Sequence, residues 1–108
     1  MATDKIQVIQ NDNNHKLIFT IKKDNRTESI FGAIVQLQFV NRENGHIMKR
    51  ECTITDPDVA ECMYILTSED LSEIGNYATE VTVIYSNGTR LTHQNPFTLV
   101  IIPEIVVD

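Results

Sequence analysis

The sequence lacks tryptophan, contains only four glycines and three prolines, and has no long hydrophobic run. A membrane-spanning helix needs about 20 consecutive apolar residues, so none is expected. The glycines are isolated from one another, which excludes a Gly-rich phosphate-binding loop. The first residues also lack the basic and then apolar blocks of a secretory signal. These absences predict a soluble protein that is made inside the cell and has no membrane partner.

Basic residues are scarce as well. The sequence has nine Lys and Arg and fifteen Asp and Glu, which gives a net charge of −6. Nucleic-acid binding depends on clustered bases that release counterions from phosphates. The densest basic group is mixed with acids and comprises Lys22, Lys23 and Arg26 beside Asp24 and Glu28. We therefore expect a solvated strand end there and no nucleic-acid partner.

The most informative stretch is residues 75–92, where aromatic and β-branched side chains recur at every second position. One side of this extended backbone carries Tyr77, Thr79, Val81, Val83 and Tyr85. A period of two is typical of a half-buried strand. The stretch contains Asn87 and Gly88, which favour a type I′ hairpin turn because both turn positions need positive φ. We predict a central strand that leads into a hairpin.

Similar alternation predicts the other strands, at residues 5–10, 15–23, 33–40, 46–53, 60–67 and 89–102, the last interrupted at 93–96 by a proline. Turn-forming residues separate these segments. A length of 108 residues suits one domain. Seven or eight short strands predict an all-β fold, namely an immunoglobulin-like antiparallel β-sandwich that spans residues 1–108.

The segment before the central strand, residues 68–75, predicts a single helical turn with Ser68 as its N-cap and Gly75 at its end. Tyr77 follows closely, and a Tyr at the start of such a strand often bonds back to the preceding loop as a tyrosine corner. The acids of the turn are expected to form a solvated face; they are Glu69, Asp70 and Glu73.

The two cysteines, Cys52 and Cys62, lie on strands that are predicted to pair around a turn at residues 56–58. If Ile54 faces Ala60 across that turn, Cys52 faces Cys62, and directly opposed Cβ atoms are about 4.5–5.5 Å apart. The sulfurs could then form a disulfide. A reducing cytoplasm favours two buried thiols instead, so both alternatives stay open.

The sequence offers little that could carry chemistry. No catalytic motif surrounds its Ser, His and Asp residues, so we predict no catalytic residue and no enzyme. The histidines are expected at the surface near strand ends: His15, His46 and His93. Calcium could bind to a group of carboxylate oxygens from Asp56, Asp58 and Glu61. However, an Asp-Pro-Asp sequence such as residues 56–58 is more commonly only a turn. We expect no cofactor and no metal site.

The final residues, 103–108, include the apolar Ile105, Val106 and Val107. They could extend the last strand and pack on the domain. Alternatively the natural chain continues, with this domain as its N-terminal part, or the tail pairs with another copy, since exposed strand edges invite pairing.

Four segments carry a family resemblance: HKLIFTIKK at residues 15–23, FGAIVQLQFV at 31–40, CMYILTSEDL at 62–71 and IGNYATEVTVIYSNG at 74–88. In this order they resemble the N-terminal domain of baseplate upper proteins from phages of Gram-positive bacteria. In that family a Gly-Ala strand start, a Gly-x-Tyr strand start and a late Asn-Gly hairpin recur. The matching residues are Gly32 and Ala33, Gly75 and Tyr77, and Asn87 and Gly88. Ile30 and Phe31 depart from the Leu-Thr that is common before the first motif.

The resemblance implies a structural, non-enzymatic protein of the virion tail or baseplate, encoded by a phage or prophage. Such a domain would anchor a receptor-binding or tail-tip protein through contacts with other baseplate or tail proteins, and the full-length chain could be a trimer. The alternative is a carbohydrate- or cell-wall-binding β-sandwich for adhesion to the host. That function needs exposed aromatic rings or calcium, whereas Tyr64, Tyr77 and Tyr85 are all predicted to point inward.

Overall fold

The computed structural model describes residues 4–22 and 28–105. In this part of the chain seven strands form: β1 Asp4–Ile9, β2 His15–Thr20, β3 Ile34–Asn41, β4 Ile47–Asp56, β5 Glu61–Leu66, β6 Gly75–Ile84 and β7 Arg90–Ile102. A short 3-10 helix, Pro57–Val59, joins β4 to β5. The prediction of an all-β protein is confirmed.

The strands form one sheet in the order β1-β7-β6-β3-β4-β5-β2, and this sheet curls into a half-barrel. β4 makes the curl possible because its first half pairs with β3 and its second half pairs with β5. β6 lies inside the sheet between β7 and β3, which confirms that it is a central strand. β1 and β2 are left as the two outer strands, on either side of the opening.

One pairing contradicts the predicted antiparallel arrangement: β1 runs parallel to β7, from Asp4 beside Phe97 to Ile9 beside Ile102. Parallel neighbours cannot be joined by a tight hairpin. These two strands come from opposite ends of the described chain, so nothing forces them to be antiparallel. All the other strand pairs are antiparallel. The immunoglobulin-like sandwich itself stays a prediction.

The inward faces agree with the predicted alternation. On β3, Val35, Leu37 and Phe39 are buried, and on β6 so are Tyr77 and Val81. Every strand contributes to a single core, for example through Val8, Leu17, Leu37, Met48, Leu66, Val83 and Leu99. The curled sheet therefore packs against itself and buries one face.

The hairpin between β6 and β7 differs from the predicted type I′ turn. Gly88 has a φ of +89°, but Asn87 is not among the residues with positive φ. The Tyr85 N–H donates to the Thr89 carbonyl, and the Gly88 N–H donates to the Tyr85 carbonyl. These bonds define a three-residue loop that ends in a left-handed glycine, the common alternative to a two-residue turn.

The cysteine register is also different from the prediction. Cys62 is opposite Ile54 on β4, and Cys52 is opposite Val35 on β3, so the predicted Cys52–Cys62 cross-strand pair is wrong. A bulge at Thr55 shifts the β4–β5 register. The Thr55 hydroxyl fixes the bulge by donating to the carbonyl and to the carboxylate of Glu61, at 3.1 and 2.8 Å.

The sequence predicted an interruption of the last strand at Pro96, since proline suits a bulge or an edge; β7 continues through Pro96 and forms a bulge there. Between the pairs Ala78–Thr98 and Glu80–Gln94, β6 has one residue, Thr79, whereas β7 has residues 95–97. The buried Thr79 hydroxyl donates to the Phe97 carbonyl and accepts from the Phe97 N–H. One side chain thus satisfies the backbone groups that the bulge takes out of the ladder.

We expect Thr79→Val to lower the free energy of unfolding by about 1–3 kcal/mol, because both buried backbone groups of Phe97 lose their partner. Denaturant unfolding measures the loss. Thr82→Val is the matched control, since Thr82 lies on the same strand and its hydroxyl pairs with another side-chain hydroxyl, that of Thr92, at 3.3 Å. Equal losses for the two variants would contradict this role for Thr79.

Candidate functional site

The loop between β5 and β6 is organised by a buried carboxylate, Asp70, of which only 2% is exposed. Its Oδ2 accepts from the Thr67 N–H at 3.0 Å, while the Thr67 hydroxyl accepts from the Asp70 N–H at 3.3 Å. This reciprocal pair is a capping box. The single helical turn is therefore capped by Thr67, one residue before the predicted Ser68. The predicted solvated acidic face is wrong for Asp70.

Two side chains from neighbouring strands complete the Asp70 site. Arg50 Nε of β4 donates to Oδ1 at 2.8 Å, and the Tyr64 hydroxyl of β5 donates to Oδ2 at 2.6 Å. Burial by itself raises the pKa of Asp70, but the hydrogen bonds from Tyr64, Thr67 and Arg50 outweigh it and hold that pKa below its usual value. Asp70 is therefore a structural anion that ties the loop to two strands.

The predicted tyrosine corner is present. The hydroxyl of the fully buried Tyr77 donates to the Glu73 carbonyl at 2.8 Å. Beside it, Gly75 has a φ of +145°, and a Cβ on Gly75 would lie 2.9 Å from Asn41 Nδ2. The close approach of the chain to Asn41 therefore requires glycine at this position.

The Glu73 carboxylate, in the loop before β6, is the centre of a second polar cluster. Its partners lie at and just after the end of β3. Asn41 and Asn44 donate to Oε1 at 2.8 and 3.1 Å, and His46 Nδ1 lies 3.6 Å from Oε2. The hydrogen bonds from Asn44 and Asn41 lower the pKa of Glu73 and outweigh burial, which raises it. Two turns, residues 41–45 and 67–74, are thus held to each other by one acid.

The opening of the half-barrel forms a groove of about 520 Å³ between β1 and β2. Its floor is apolar and includes Ile6, Val81 and Phe97, and its rim carries Lys5 and Lys22. No carboxylate is among its described lining residues, although the whole chain has an excess of acids. The groove is therefore an apolar site with a basic rim.

His93 of β7 lines this groove and differs from its predicted position at the surface. It is partly buried, and its Nε2 is out of contact with solvent and has no hydrogen-bond partner among the described residues. Alternation does place position 93 opposite Val81, on the inward face. The predicted interruption at residues 93–96 hid this site, because an inward position for His93 requires the continuous strand β7.

The other candidate residues do not come together. His15 begins β2 and His46 contacts Glu73. Asp56 caps the 3-10 helix by accepting from the Asp58 N–H at 3.2 Å, which confirms the turn. Across residues 4–22 and 28–105, no three His, Cys, Asp or Glu side chains are grouped as metal ligands would be. Calcium at Asp56, Asp58 and Glu61 thus has no support from the turn geometry.

Cys52 and Cys62 are buried free thiols. Burial raises the pKa of Cys52 to about 12 and that of Cys62 to about 11, so both stay protonated at neutral pH.

Among the apolar residues near the C-terminus, Ile105 is 86% exposed. Val106 and Val107, like Lys23 and Arg26, lie outside the described residues. No helix in the described ranges has the length and apolarity to span a membrane.

Comparison with models of protein families identifies the family of this chain. The family model of the BppU N-terminal domain matches residues 1–108. The chain belongs to the BppU N-terminal domain family. The resemblance to a phage baseplate upper protein N-terminal domain is thereby confirmed. A comparison with curated proteins finds no match.

Family membership supports a structural role in the phage tail or baseplate. It implies that the domain is a component of the virion tail and contacts other tail or baseplate proteins. The two polar clusters, around Asp70 and Glu73, stabilise loops, whereas the groove between β1 and β2 is open to a partner. The groove is accordingly the candidate functional site.

Proposed function

We propose that this domain anchors a longer receptor-binding or tail-tip protein to the phage baseplate through protein–protein contacts, without catalysing a reaction. The observation that carries the proposal is the match of the BppU N-terminal domain model to residues 1–108. The fold agrees with such a role, since the polar clusters described above fix loops and leave the sheet edges as surfaces for contact.

The proposal extends to the assembly of the whole virion protein. The domain sits at the baseplate, and segments beyond it form a trimer that carries the receptor-binding part. Synthesis takes place in the host cytoplasm. We also predict that the domain has no nucleic-acid partner and no membrane partner. The net charge of −6 supports the first of these predictions.

Carbohydrate or cell-wall binding is the second hypothesis, and it has weaker support. Sugar stacking needs an exposed aromatic ring. Tyr77 is fully buried, and the Tyr64 hydroxyl is bound to Asp70. Phe31 is 81% exposed, but it is a single ring on a turn. A host-adhesion function would therefore depend on parts of the protein other than the tyrosines that the sequence offers.

The test is reconstitution with the tail and baseplate proteins of the same phage. We expect the full-length chain to enter a stable complex with them, detected as added mass in light scattering after size-exclusion chromatography. The domain alone should enter the same complex. A full-length monomer with no affinity for any tail or baseplate component would overturn the proposal. Binding to host cell-wall polysaccharide in place of these proteins would support the second hypothesis.

A further inference from the structure

The groove between β1 and β2 runs along the edge of a strand. Five consecutive residues, 18–22, line it on the β2 side. Successive side chains of a strand point to opposite faces, so a groove over one face would touch only every second residue. Contact with five in a row means that the groove follows the open edge of β2 and the residues that continue it.

The outer edge of β2 is open. In the strand order β2 is outermost and pairs only with β5 among the described strands. Edge strands are usually blunted by charges, prolines or bulges that prevent further pairing. β2 carries one such charge, the exposed Lys16, but no proline or bulge; the large aliphatic Ile18 is 61% exposed, and the His15–Thr20 register with β5 is regular. The edge is thus able to receive another strand.

The groove also favours one sign of charge. Its described lining residues include Lys5, Lys22 and the partly buried His93, and no acid. His93 is the cross-strand neighbour of Val81 in this lining, and its buried Nε2 lacks the partner that such an atom normally has. A carboxylate in the groove could accept from the two lysines, next to the apolar side chains that cover the floor.

We propose that the groove binds an extended acidic segment of a partner protein, which adds to the β2 edge as a new strand. Its apolar side chains pack on Ile6 and Phe97, and its carboxylates face Lys5 and Lys22. This inference deepens the proposed function, on which it rests, by naming the surface and the chemistry of the partner. Pairing through the backbone supplies affinity, and the alternating side chains supply specificity.

The test uses a short peptide of alternating valine and glutamate and amide NMR of the domain. We expect chemical-shift changes in the amides of His15–Thr20 and in the His93 ring, with binding detectable at about 1 mM peptide. A peptide with lysine in place of glutamate, and one with a central proline that cannot donate to a ladder, should bind at least about tenfold more weakly. Equal binding of the three peptides, or no shifts at all, would overturn the proposal.

Charge reversal of the rim gives a second measurement. The double variant Lys5→Glu with Lys22→Glu changes two exposed side chains and should weaken binding of the acidic peptide about tenfold or more. The double variant Lys49→Glu with Arg90→Glu is the matched control, because it also reverses two exposed charges and neither residue lines the groove. An equal effect of this control and of the rim variant would mean that net charge, and not the groove, attracts the peptide.

The same variants separate this proposal from the proposed function. If the wild-type domain joins the baseplate complex and the rim variant joins it equally well, the groove is not the docking surface, although the anchoring role stands. If neither joins, the anchoring role fails. If the wild-type domain forms dimers that the rim variant abolishes, the occupant is a second copy of this chain, and the proposed partner is wrong.

Discussion

Asp70→Ala is expected to cost the domain about 3–5 kcal/mol of unfolding free energy, which is the usual loss when one partner of a buried ionic contact is removed. The substitution leaves the Tyr64 hydroxyl, the Thr67 N–H and Arg50 Nε without their common acceptor. A domain of this size has a total stability of only about 5–15 kcal/mol. The loss is therefore a large share of the total stability, and the variant should unfold at a much lower urea concentration.

Urea unfolding measures this loss through the midpoint and slope of the transition. Asp12→Ala is the control, since Asp12 is an exposed turn residue and its substitution should change stability by about 0.5 kcal/mol at most. Asp70→Asn keeps the shape and removes the charge, so it should fall between the two. A loss of under about 1 kcal/mol for Asp70→Ala would contradict the anchoring role of this carboxylate.

The Asp70 contact also has a defined pH dependence. Because the folded-state pKa of Asp70 is lowered, the unfolded chain takes up the proton first as the pH falls. The stabilisation is present above the pKa of an unfolded aspartate, about 3.9, and is lost as the pH falls through the folded pKa. Wild-type stability should therefore decline in acid more steeply than that of Asp70→Asn. Parallel curves for the two proteins would contradict this.

The second large effect is expected at the tyrosine corner. Tyr77→Ala should lower the unfolding free energy by about 3–5 kcal/mol, because it removes a fully buried aromatic side chain and leaves a cavity between β6 and the loop. Tyr77→Phe keeps the ring and loses only the hydrogen bond to the Glu73 carbonyl, so we expect about 1 kcal/mol. Thermal and urea unfolding of both variants check these values.

The matched control for Tyr77 is Tyr85, which directly follows β6 and is only partly buried. Tyr85→Ala should cost less than Tyr77→Ala. If the two tyrosines were equivalent, or if Tyr77→Phe were as harmful as Tyr77→Ala, the packing of the ring would not be the main contribution of Tyr77.

The sequence predicted correctly which strand positions point to the core, but it predicted the pairing register of β4 and β5 wrongly. The difference has a physical reason. Inward positions such as Leu37, Phe39 and Val83 follow from a period of two alone. The β4–β5 pairing was wrong by two residues, and a shift of two keeps every side chain on its face. The hydrophobic pattern therefore could not reveal the error. The bulge at Thr55, which moves the β4–β5 register by one further residue, depends on a side-chain bond to Glu61 that no pattern indicates.

The candidate site was harder to predict than the core. Lys5 and His93 are far apart in the sequence, and they meet only because β1 pairs with β7 and because β7 continues through Pro96. Neither event follows from local propensity. Likewise, the sequence around Asp70 is typical of a solvated acid in a polar loop. Its burial depends on Arg50 and Tyr64, which lie on other strands. The tyrosine corner was predictable because Tyr77 and Glu73 are only four residues apart.

The parallel pairing of β1 with β7 has a mechanical consequence for a protein of the virion tail. Tension applied between Asp4 and Ile102 pulls these adjacent strands lengthwise past each other, since their six paired positions run from Asp4–Phe97 to Ile9–Ile102. Hydrogen bonds loaded in this shearing direction share the force and must break together, whereas a pulled hairpin unzips one bond at a time. Such resistance to shear would serve the anchoring role proposed above.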